Sequence, residues 1–294
     1  MSSQSKHKEI QAHIATVCRQ NAYSTKEEHG GVGWRADVLA TKGLAKVAFE
    51  VQLAGQSLRR TIERQQRYAR DSVTCCWLFE RPLPKLSTER PDLPLFYVSQ
   101  AAAGEFHVSL SGRNEVPLTV FIGEFLGGRI RFCPTARTKV EQSLRLVFFE
   151  MKCWKCQTIN HIYYSEGTLL AACNAVIEPE EGLWESDHIE YRPEIVAAAK
   201  RFLATPAGTH LHLGEIKRRY SRTVNDSYLS FGCYKCDSIF GDWYVMEARM
   251  EAVYGLGQVA RSEGTIRLAH GIELPIPHWC FPIGGDFCDG WRSD

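Results

Sequence analysis

The chain has 294 residues, of which 44% are hydrophobic and 23% charged, a composition ordinary for a globular protein with room for two compact domains. Its 35 basic and 34 acidic residues leave a formal charge of +1, which excludes a uniformly basic nucleic-acid coat and an acidic disordered tail. The sequence contains no run of about 18 apolar residues, the length that a membrane-spanning helix needs. Its N-terminus is polar and is unlike a signal peptide. We therefore expect a cytoplasmic protein.

The first 80 residues predict an α/β arrangement. In chain order the predicted elements are a helix at 6–21, a turn-rich stretch, strands at 34–39 and 46–53, a helix at 56–70 and a strand at 73–79. The pattern is clearest in the second strand, where alternate positions from Val47 to Leu53 are apolar and share one face. Beyond residue 80, the predicted elements are strands around 95–99, 106–110 and 117–122 and a helix at 136–145.

From about residue 149 the composition shifts toward cysteine and aromatic side chains. We therefore divide the chain into domains at 1–148 and 149–294. Residues 174–195 contain seven acids against one arginine and are interpreted as part of an exposed insertion at about 174–228 in the second domain.

Two acids in neighbouring predicted strands form the first candidate site. If the hairpin turns about Gly43 and Leu44, Asp37 and Glu50 lie directly opposite each other, with Cβ atoms about 4.5–5.5 Å apart. Such carboxylates repel, and a shared Mg²⁺ or Mn²⁺ relieves the repulsion, lowers the pKa of a bound water and neutralises charge building on a phosphate. Gln52 lies two residues along the same face, where its amide could hydrogen-bond the attacking water or a phosphate oxygen.

The alternative for this acid pair is that both side chains face solvent on a half-exposed hairpin, because exposed acids are common. The following helix bears on the choice, since residues 57–70 contain five arginines and one glutamate. Arg60, Arg64 and Arg67 lie at positions i, i+4 and i+7, on one stripe of the helix. The stripe is either a solvated face or a contact surface for the phosphate backbone of DNA.

Two Cys-x-x-Cys pairs are the most specific local signals in the chain. Cys153 and Cys156 form the first pair, and Cys233 and Cys236 form the second. Two such turns provide the four sulfur ligands of a structural zinc ion, and the aromatic segments that follow each pair, including Trp243–Val245, predict the strands of a zinc ribbon. The 76 residues between the pairs exceed the usual spacing of about 15–20, so we infer an interrupted ribbon. A redox dithiol is the alternative.

The remaining cysteines carry weaker signals. His278, Cys280 and Cys288 could belong to a second metal site, but the sequence offers no clear fourth ligand, which favours buried or incidental side chains. Cys75 and Cys76, in an apolar strand, are interpreted as core residues.

Taken together, these motifs resemble the competence-protein CoiA-like family of the PD-(D/E)xK nuclease superfamily. The resemblance covers residues 5–80 and resumes at the cysteine pairs. The segments that carry it are Trp34–Leu39, Ala48–Gln52, Glu63 with Arg64, Tyr68, Trp77–Phe79, Gly232–Cys236 and Gly241–Trp243. It implies a restriction-endonuclease-like αβββαβ core with a mixed sheet, joined to a zinc-ribbon C-terminal domain.

The resemblance also implies site residues. Asp37 and Glu50 become the metal-binding carboxylates, and Gln52 occupies the position where most of the superfamily carries lysine, in a Glu-x-Gln variant familiar among CoiA-like sequences. A further acid from the first helix is expected near the metal, with Glu9 as the candidate and Glu28 as its rival; a plain surface carboxylate is the alternative for either. The helix with the arginine stripe is expected beside the active site.

The sequence therefore predicts a Mg²⁺- or Mn²⁺-dependent DNA nuclease with a structural Zn²⁺. The alternatives are a non-catalytic DNA-binding or assembly module with a relic nuclease fold, and a zinc-stabilised subunit whose acidic insertion contacts a basic protein. DNA is the expected partner, and a homodimer or a partner protein is compatible with the resemblance.

Overall fold

The structure, a computed structural model, describes residues 3–81, 89–101, 104–110, 115–177, 189–254 and 257–290. The chain folds into two compact units. The first is built from residues within Met1–Ala136, Ala172–Ala175 and Ile276–Asp294, and the second from residues within Arg137–Ala171 and Val176–Pro275. None of the described helices combines the length and the apolar character that crossing a membrane requires.

The first unit is an α/β fold around one mixed sheet. Up to residue 133 its elements are α1 (Ser3–Gln20), β1 (Ser24–Gly31), β2 (Trp34–Lys42), β3 (Ala45–Gln52), α2 (Leu58–Arg70), β4 (Thr74–Phe79), β5 (Leu95–Gln100), β6 (Phe106–Ser109), β7 (Val116–Pro117), α3 (Leu118–Leu126) and β8 (Arg131–Cys133). The strands β1 to β7 lie side by side in sequential order. Neighbours are antiparallel from β1 to β3, parallel from β3 to β5 and antiparallel again from β5 to β7.

Apolar side chains cover both faces of this sheet. On one face Val47, Phe49 and Val51 of β3 pack in a core with side chains of α1 and α3. On the other face Ala48 packs in a second core with Tyr68 of α2. Burying a side chain the size of valine or phenylalanine stabilises the fold by about 1.5–3 kcal/mol, so the predicted alternation of β3 holds the strand between two layers.

The β2–β3 hairpin has the predicted turn. Lys42 pairs with Ala45 across Gly43 and Leu44, and the ladder runs from there to Val38 opposite Phe49. Gly43 has a φ of +58°, a left-handed conformation that glycine adopts without steric cost. Asp37 and Glu50 are the next residues beyond this last pair, at the open end of the hairpin.

Two predictions for the first unit were wrong. The stretch predicted as turn-rich contains β1, whose burial pattern has no fully buried position, so it lacks the apolar alternation that marks a strand. Residues 117–122 were predicted as a strand, but α3 begins at Leu118. Its buried residues Leu118, Phe121 and Ile122 follow the spacing of a helix, and the β-branched residues between them misled the prediction.

The second unit is built around antiparallel strands. The remaining elements of the chain are β9 (Ala136–Arg137), β10 (Glu141–Lys152), β11 (Ile159–Glu166), β12 (Leu169–Leu170), β13 (Val176–Ile177), a 3₁₀ turn (Ile189–Tyr191), α4 (Pro193–Leu203), β14 (Lys217–Ser221), β15 (Asp226–Ser230), α5 (Asp242–Val253), β16 (Gln258–Arg267), β17 (Glu273–Leu274) and β18 (His278–Cys280). Its largest sheet has the order β11-β10-β16. The last strand, β18, belongs to the first unit.

The structure corrects three predictions for this half of the chain. The helix predicted at 136–145 is replaced by strand, because β10 buries alternate residues along its first half. The division at 148/149 falls inside β10, a continuous strand, and the compact units are divided elsewhere. Trp243–Val245 opens helix α5, with Gly241 at the N-cap and Asp242 in the first turn, a position that favours acids.

Five of the seven acids of the 174–195 stretch lie outside the described residues, which omit 178–188. Glu190, within the same stretch, is buried, and its carboxylate accepts hydrogen bonds from the backbone N–H and the hydroxyl of Ser165 at 3.1 and 3.0 Å. This acid therefore has a structural role and is not part of an exposed surface.

Candidate functional site

A cavity of about 1230 Å³ in the first unit brings most of the predicted site residues together. The predicted residues that line it are Asp37, Glu50, Gln52, Arg60, Arg64 and Arg67. They come from β2, β3 and α2, so the end of the β2–β3 hairpin and one side of the following helix form its walls. Glu9 is not among the lining residues, whereas its rival Glu28 is.

Glu50 is a buried carboxylate held by three donors. Its exposed fraction is 1%, which excludes the solvent-facing alternative for this residue. Oε1 accepts hydrogen bonds from the Tyr68 hydroxyl and from Arg64 Nη2, the latter at 2.5 Å, and Oε2 accepts from Gln52 Nε2 at 3.3 Å. Burial raises the pKa of Glu50 to about 7; the Arg64 guanidinium and the Tyr68 hydroxyl act against this, and the Asp37 carboxylate adds to it.

Asp37 is anchored by the backbone of the neighbouring strand. Its Oδ2 accepts the Val51 N–H at 2.7 Å, and its side chain is 15% exposed. The ring of His7, on α1, lies beside it, with Nε2 3.3 Å from Asp37 Oδ2 and 3.1 Å from the Val51 carbonyl oxygen. Because a carbonyl oxygen only accepts, His7 Nε2 is the donor in the contact with Val51.

The first helix therefore contributes His7 to this site, a residue that the sequence analysis missed. Glu9 lies two positions further along α1, and its Oε2 is buried without a hydrogen-bond partner among the described residues. The only sequence signal for His7 is its helical spacing of three residues from Ile10, whose side chain is buried in the sheet core. That spacing predicts that His7 lies on the side of the helix that faces the sheet, but it does not identify the strand residues that His7 contacts.

Glu28 occupies the rim of the cavity within a network of donors. Its Oε1 accepts from Gln11 Nε2 at 3.1 Å and pairs with Lys8 Nζ at 3.2 Å, and its Oε2 pairs with Arg35 Nε at 3.1 Å. The Gln11 hydrogen bond is the main cause of a lowered pKa at Glu28, and Lys8 and Arg35 lower it further. Glu28 is thus an ionised carboxylate near neutral pH, with its charge already matched by two cations.

Helix α2 presents the predicted arginine stripe to the cavity. It begins after Ser57, whose hydroxyl caps the helix by accepting from the N–H of Arg60. Arg64 is 20% exposed, lies over the Trp77 ring at 4.8 Å and bonds Glu50. Arg67 donates to the Gly33 carbonyl at 2.9 Å. Arg60 is exposed and its guanidinium has no protein partner among the described residues.

Both positive and negative groups line the cavity. The charged lining residues, His7 aside, are Arg35, Arg59, Arg60, Arg64 and Arg67 against Glu28, Asp37, Glu50 and Glu63. Because the pKa of Glu50 is raised to about 7, its carboxylate is only partly ionised near neutral pH. The lining therefore carries a positive balance that favours an anion, while the two central carboxylates favour a cation.

The two Cys-x-x-Cys pairs meet in the second unit. The four sulfur atoms of Cys153, Cys156, Cys233 and Cys236 lie within 4.8 Å of one another and could hold a metal ion such as zinc. The shortest contacts between the pairs are 3.6 Å from Cys153 to Cys236 and 3.5 Å from Cys156 to Cys233. The sequence prediction of a shared site for the two pairs is thus supported by their geometry.

Both cysteine turns have the same backbone pattern. In the first, the N–H of Cys153 donates to the Thr158 carbonyl and the N–H of Gln157 donates to the Cys153 carbonyl, each at 2.9 Å; in the second, Cys233 with Ser238 and Asp237 repeats both bonds at 2.9 Å. Gln157 and Asp237, the residues that close the turns, have φ values of 63° and 58°.

Hydroxyl groups beside the cluster favour thiolates. The hydrogen bond between the Cys156 sulfur and the Thr158 hydroxyl, at 3.4 Å, is the main cause that lowers the pKa of Cys156 to about 6. Ser238 likewise lowers the pKa of Cys236. Since the thiolate is the form that binds metal, these contacts prepare one sulfur in each turn for coordination.

Comparisons with protein-family models, with curated proteins and with solved structures gave no significant match. The resemblance to the CoiA-like family therefore stays a prediction, and function is inferred from the geometry of the site.

Proposed function

We propose that this chain is a metal-dependent nuclease of the PD-(D/E)xK type that hydrolyses phosphodiester bonds in DNA. The observation that carries the proposal is the acid pair: Asp37 and Glu50, at the open end of one hairpin, line an arginine-rich cavity. A buried carboxylate next to a second carboxylate is costly without a cation, and such an arrangement points to a binding function.

The order of elements supports the proposal. Helix α1, the antiparallel strands β1 to β3, helix α2 and strand β4 follow one another, and β4 lies parallel to β3. This is the αβββαβ order expected of the superfamily, with the acids in β2 and β3 and the arginine stripe in α2.

A divalent cation such as Mg²⁺ or Mn²⁺ fits the donor set. Asp37 and Glu50 offer oxygen ligands, which hard cations prefer. Burial raises the pKa of Glu50 despite the nearby Arg64, so a bound cation would favour the ionised form of this carboxylate. A cation held there would lower the pKa of a coordinated water and offset the charge that builds on the phosphate.

The neighbouring side chains would hold the carboxylates in place. Tyr68 and Arg64 fix Glu50 Oε1, and Gln52 is within reach of Oε2, so the orientation of Glu50 is set before any ligand binds. His7 lies against Asp37 Oδ2. Gln52 could also direct its amide to the attacking water or to a phosphate oxygen, but it cannot supply the positive charge of a lysine.

DNA affinity would come from the arginines at the cavity mouth. The Arg60 side chain is exposed and Arg67 lies one turn beyond Arg64 on the same stripe. Guanidinium groups bind phosphate oxygens without reading sequence. The Cys₄ cluster of the second unit would hold a structural zinc, as in an interrupted zinc ribbon, because four thiolates leave no open coordination position for catalysis.

A second candidate function is a DNA-binding module without catalysis. It is favoured by Gln52, which stands where a catalytic lysine is expected, and by the Arg64 contact at 2.5 Å, which already provides Glu50 with a cation. Such a protein would bind DNA equally well with and without divalent ions.

The two candidates are separated by pairing a binding assay with a cleavage assay. Fluorescence anisotropy with labelled duplex and single-stranded DNA measures affinity, and the release of shorter fragments in Mg²⁺ or Mn²⁺ measures cleavage. The nuclease proposal expects cleavage by the parent, its loss in Glu50→Gln, and its retention in Glu63→Gln. Glu63 lines the same cavity but is half-exposed and paired with Arg59, so it is a matched control. Binding without fragments under every ion favours the second candidate.

A further inference from the structure

A second cluster of metal-binding side chains lies in the first unit. The ligand atoms of Cys173, His278, Cys280 and Cys288 lie within 4.8 Å of one another, and all four residues are buried. The sequence offered only the last three of these. The missing fourth is Cys173, which lies 105 positions before His278 and is brought to it by the fold.

Strand β18 supplies two of the four side chains. It pairs antiparallel with β8, setting His278 opposite Cys133 and Cys280 opposite Arg131. His278 and Cys280 are two residues apart and so point to the same side of the strand. Trp279 lies between them and points to the other side, where it packs on Phe96 with ring centroids 5.3 Å apart.

The indole of Trp279 anchors the strand. Its Nε1 donates to the carbonyl oxygens of Pro91 and Leu93 at 3.1 and 3.0 Å. Side-chain packing and these hydrogen bonds fix β18 independently of the cluster, so His278 and Cys280 are held in register before a ligand binds.

Two loops supply the other cysteines and are bonded to each other. The N–H of Asp286 donates to the Ala172 carbonyl at 3.1 Å, and Asn174 Nδ2 donates to the Ile283 carbonyl at 2.6 Å. Gly285 permits this approach, because a Cβ at that position would lie 2.4 Å from the Ala172 oxygen. These bonds bring Cys173 and Cys288 to the same side of β18.

The imidazole of His278 has the orientation of a metal ligand. Its Nδ1 lies 3.1 Å from the Ile276 carbonyl oxygen, which can only accept, so Nδ1 is the protonated nitrogen and Nε2 is the one that can bind a metal through its lone pair in the neutral ring. Nε2 lies 3.6 Å from the Cys173 sulfur. Metal-bound histidines commonly donate their second ring nitrogen to a carbonyl or carboxylate in this way.

The spacing also fits a tetrahedral ion. Zinc binds sulfur at about 2.3 Å and nitrogen at about 2.0–2.1 Å, so neighbouring ligand atoms around it are about 3.5–3.8 Å apart. The 3.6 Å between His278 Nε2 and Cys173 Sγ falls in this range. The N–H of Cys288 donates to Cys280 Sγ at 3.5 Å.

We propose that Cys173, His278, Cys280 and Cys288 bind a second structural zinc ion, in a closed Cys₃His site. All eleven cysteines are described, and none is in a disulfide bond, so no disulfide competes for these sulfurs. The ion joins three separate stretches of the first unit: the turn at 172–175, strand β18 and the loop that ends at Cys288. Four protein ligands leave no position open for a substrate, so this zinc stabilises the fold.

The test is the zinc content of the purified full-length chain, measured by inductively coupled plasma mass spectrometry together with zinc X-ray absorption. The two clusters predict two zinc ions per chain, with seven sulfur ligands and one nitrogen between them. A parent protein with one zinc bound by four sulfurs would overturn the proposal. The zinc measurement does not depend on DNA cleavage, so its outcome neither supports nor contradicts the nuclease proposal.

Variants assign the ligands. His278→Asn and Cys288→Ser should each leave one zinc, bound by sulfur alone, and Cys156→Ser should leave one zinc whose ligands include nitrogen. Cys133 lies opposite His278 and its side chain hydrogen-bonds Cys280, but it is outside the four-residue set, so Cys133→Ser should keep two zinc ions. Loss of zinc from Cys133→Ser, or two zincs in both His278→Asn and Cys288→Ser, would refute the assignment. If a variant fails to fold, the measurement on the parent still decides.

Discussion

Replacing Glu50 with glutamine tests the electrostatics on which the candidate site depends. The amide has nearly the shape of the carboxyl group and keeps an oxygen that can accept from Tyr68 and Arg64, as Oε1 does in the parent. It cannot ionise. The variant therefore separates the effect of the buried charge from the effect of packing.

The size of the effect follows from the pKa of Glu50. Folding raises it from an ordinary value of 4.5 to about 7, so between these values the folded state holds its proton more tightly than the unfolded state. The free energy of unfolding of the parent therefore falls as the pH rises through this window and stays lower above it. Each pKa unit corresponds to about 1.4 kcal/mol, which gives a loss of about 3 kcal/mol that Glu50→Gln escapes.

Native-state hydrogen exchange of the β3 amides measures this difference in the first unit alone. Parent and variant are compared at about pH 5 and about pH 8, without divalent ions, so that intrinsic exchange rates cancel at each pH. The ratio of the protection factors, variant over parent, should be about a hundredfold higher at pH 8 than at pH 5. This is the change expected when the parent loses about 3 kcal/mol of unfolding free energy. Added Mg²⁺ should restore protection of the parent at the higher pH and leave the variant unchanged.

Glu28→Gln is the matched control. The pKa of Glu28 is lowered in the folded state and is ordinary in the unfolded state, so Glu28 is mostly ionised in both states across this range, and its difference from the parent should change far less than a hundredfold between the two pH values. A Glu50→Gln variant with the same flat profile would show that Glu50 is ionised at both pH values, and the electrostatic reasoning would fail.

Three further predictions concern neighbouring groups. Arg64→Ala leaves the buried Glu50 without its cation and should cost about 2–3 kcal/mol of unfolding free energy near pH 8, less near pH 5 where Glu50 is protonated. Arg59→Ala, which removes an exposed pair with Glu63, should lower the free energy of unfolding by less than about 0.5 kcal/mol when both variants are measured by chemical denaturation. Equal losses in Arg64→Ala and Arg59→Ala would contradict the role of Arg64 as the cation that stabilises Glu50. Arg60→Ala should weaken DNA binding and lower the slope of log affinity against log salt by about 0.9, and an unchanged slope would remove this residue from the DNA contact. Cys153→Ser should lower protection of β10 and β11, as should a zinc chelator, whereas the exposed Lys155→Ser should not; equal stability of the two variants would count against a metal in that cluster.

Several features of the site could be predicted from the sequence because they depend on local geometry. The hairpin turn at Gly43 fixes the register of β2 and β3, and the alternation of β3 determines which face Glu50 shares with Gln52. Likewise, helical spacing alone puts Arg60, Arg64 and Arg67 on one stripe, and all three line the cavity.

Features that depend on tertiary packing could not be predicted in this way. His7 reaches Asp37 only because α1 packs across the sheet, and nothing in the local sequence distinguishes it from Glu9. Cys173 joins His278 across 105 residues of sequence. Strand β1 has no buried alternation and is defined by its pairing with β2, and α3 follows a helical burial pattern in a segment rich in β-formers.

The central claim is that Asp37 and Glu50 together bind the ion that supports phosphodiester hydrolysis. The most direct test is cleavage of plasmid and single-stranded DNA in Mg²⁺ and in Mn²⁺ by the parent and by the double variant Asp37→Ala, Glu50→Ala, with zinc content and circular dichroism of both proteins matched. We predict fragments from the parent and none from the double variant. Cleavage at the parental rate by the double variant would contradict the site, and no cleavage by either protein in either ion would contradict the enzymatic assignment.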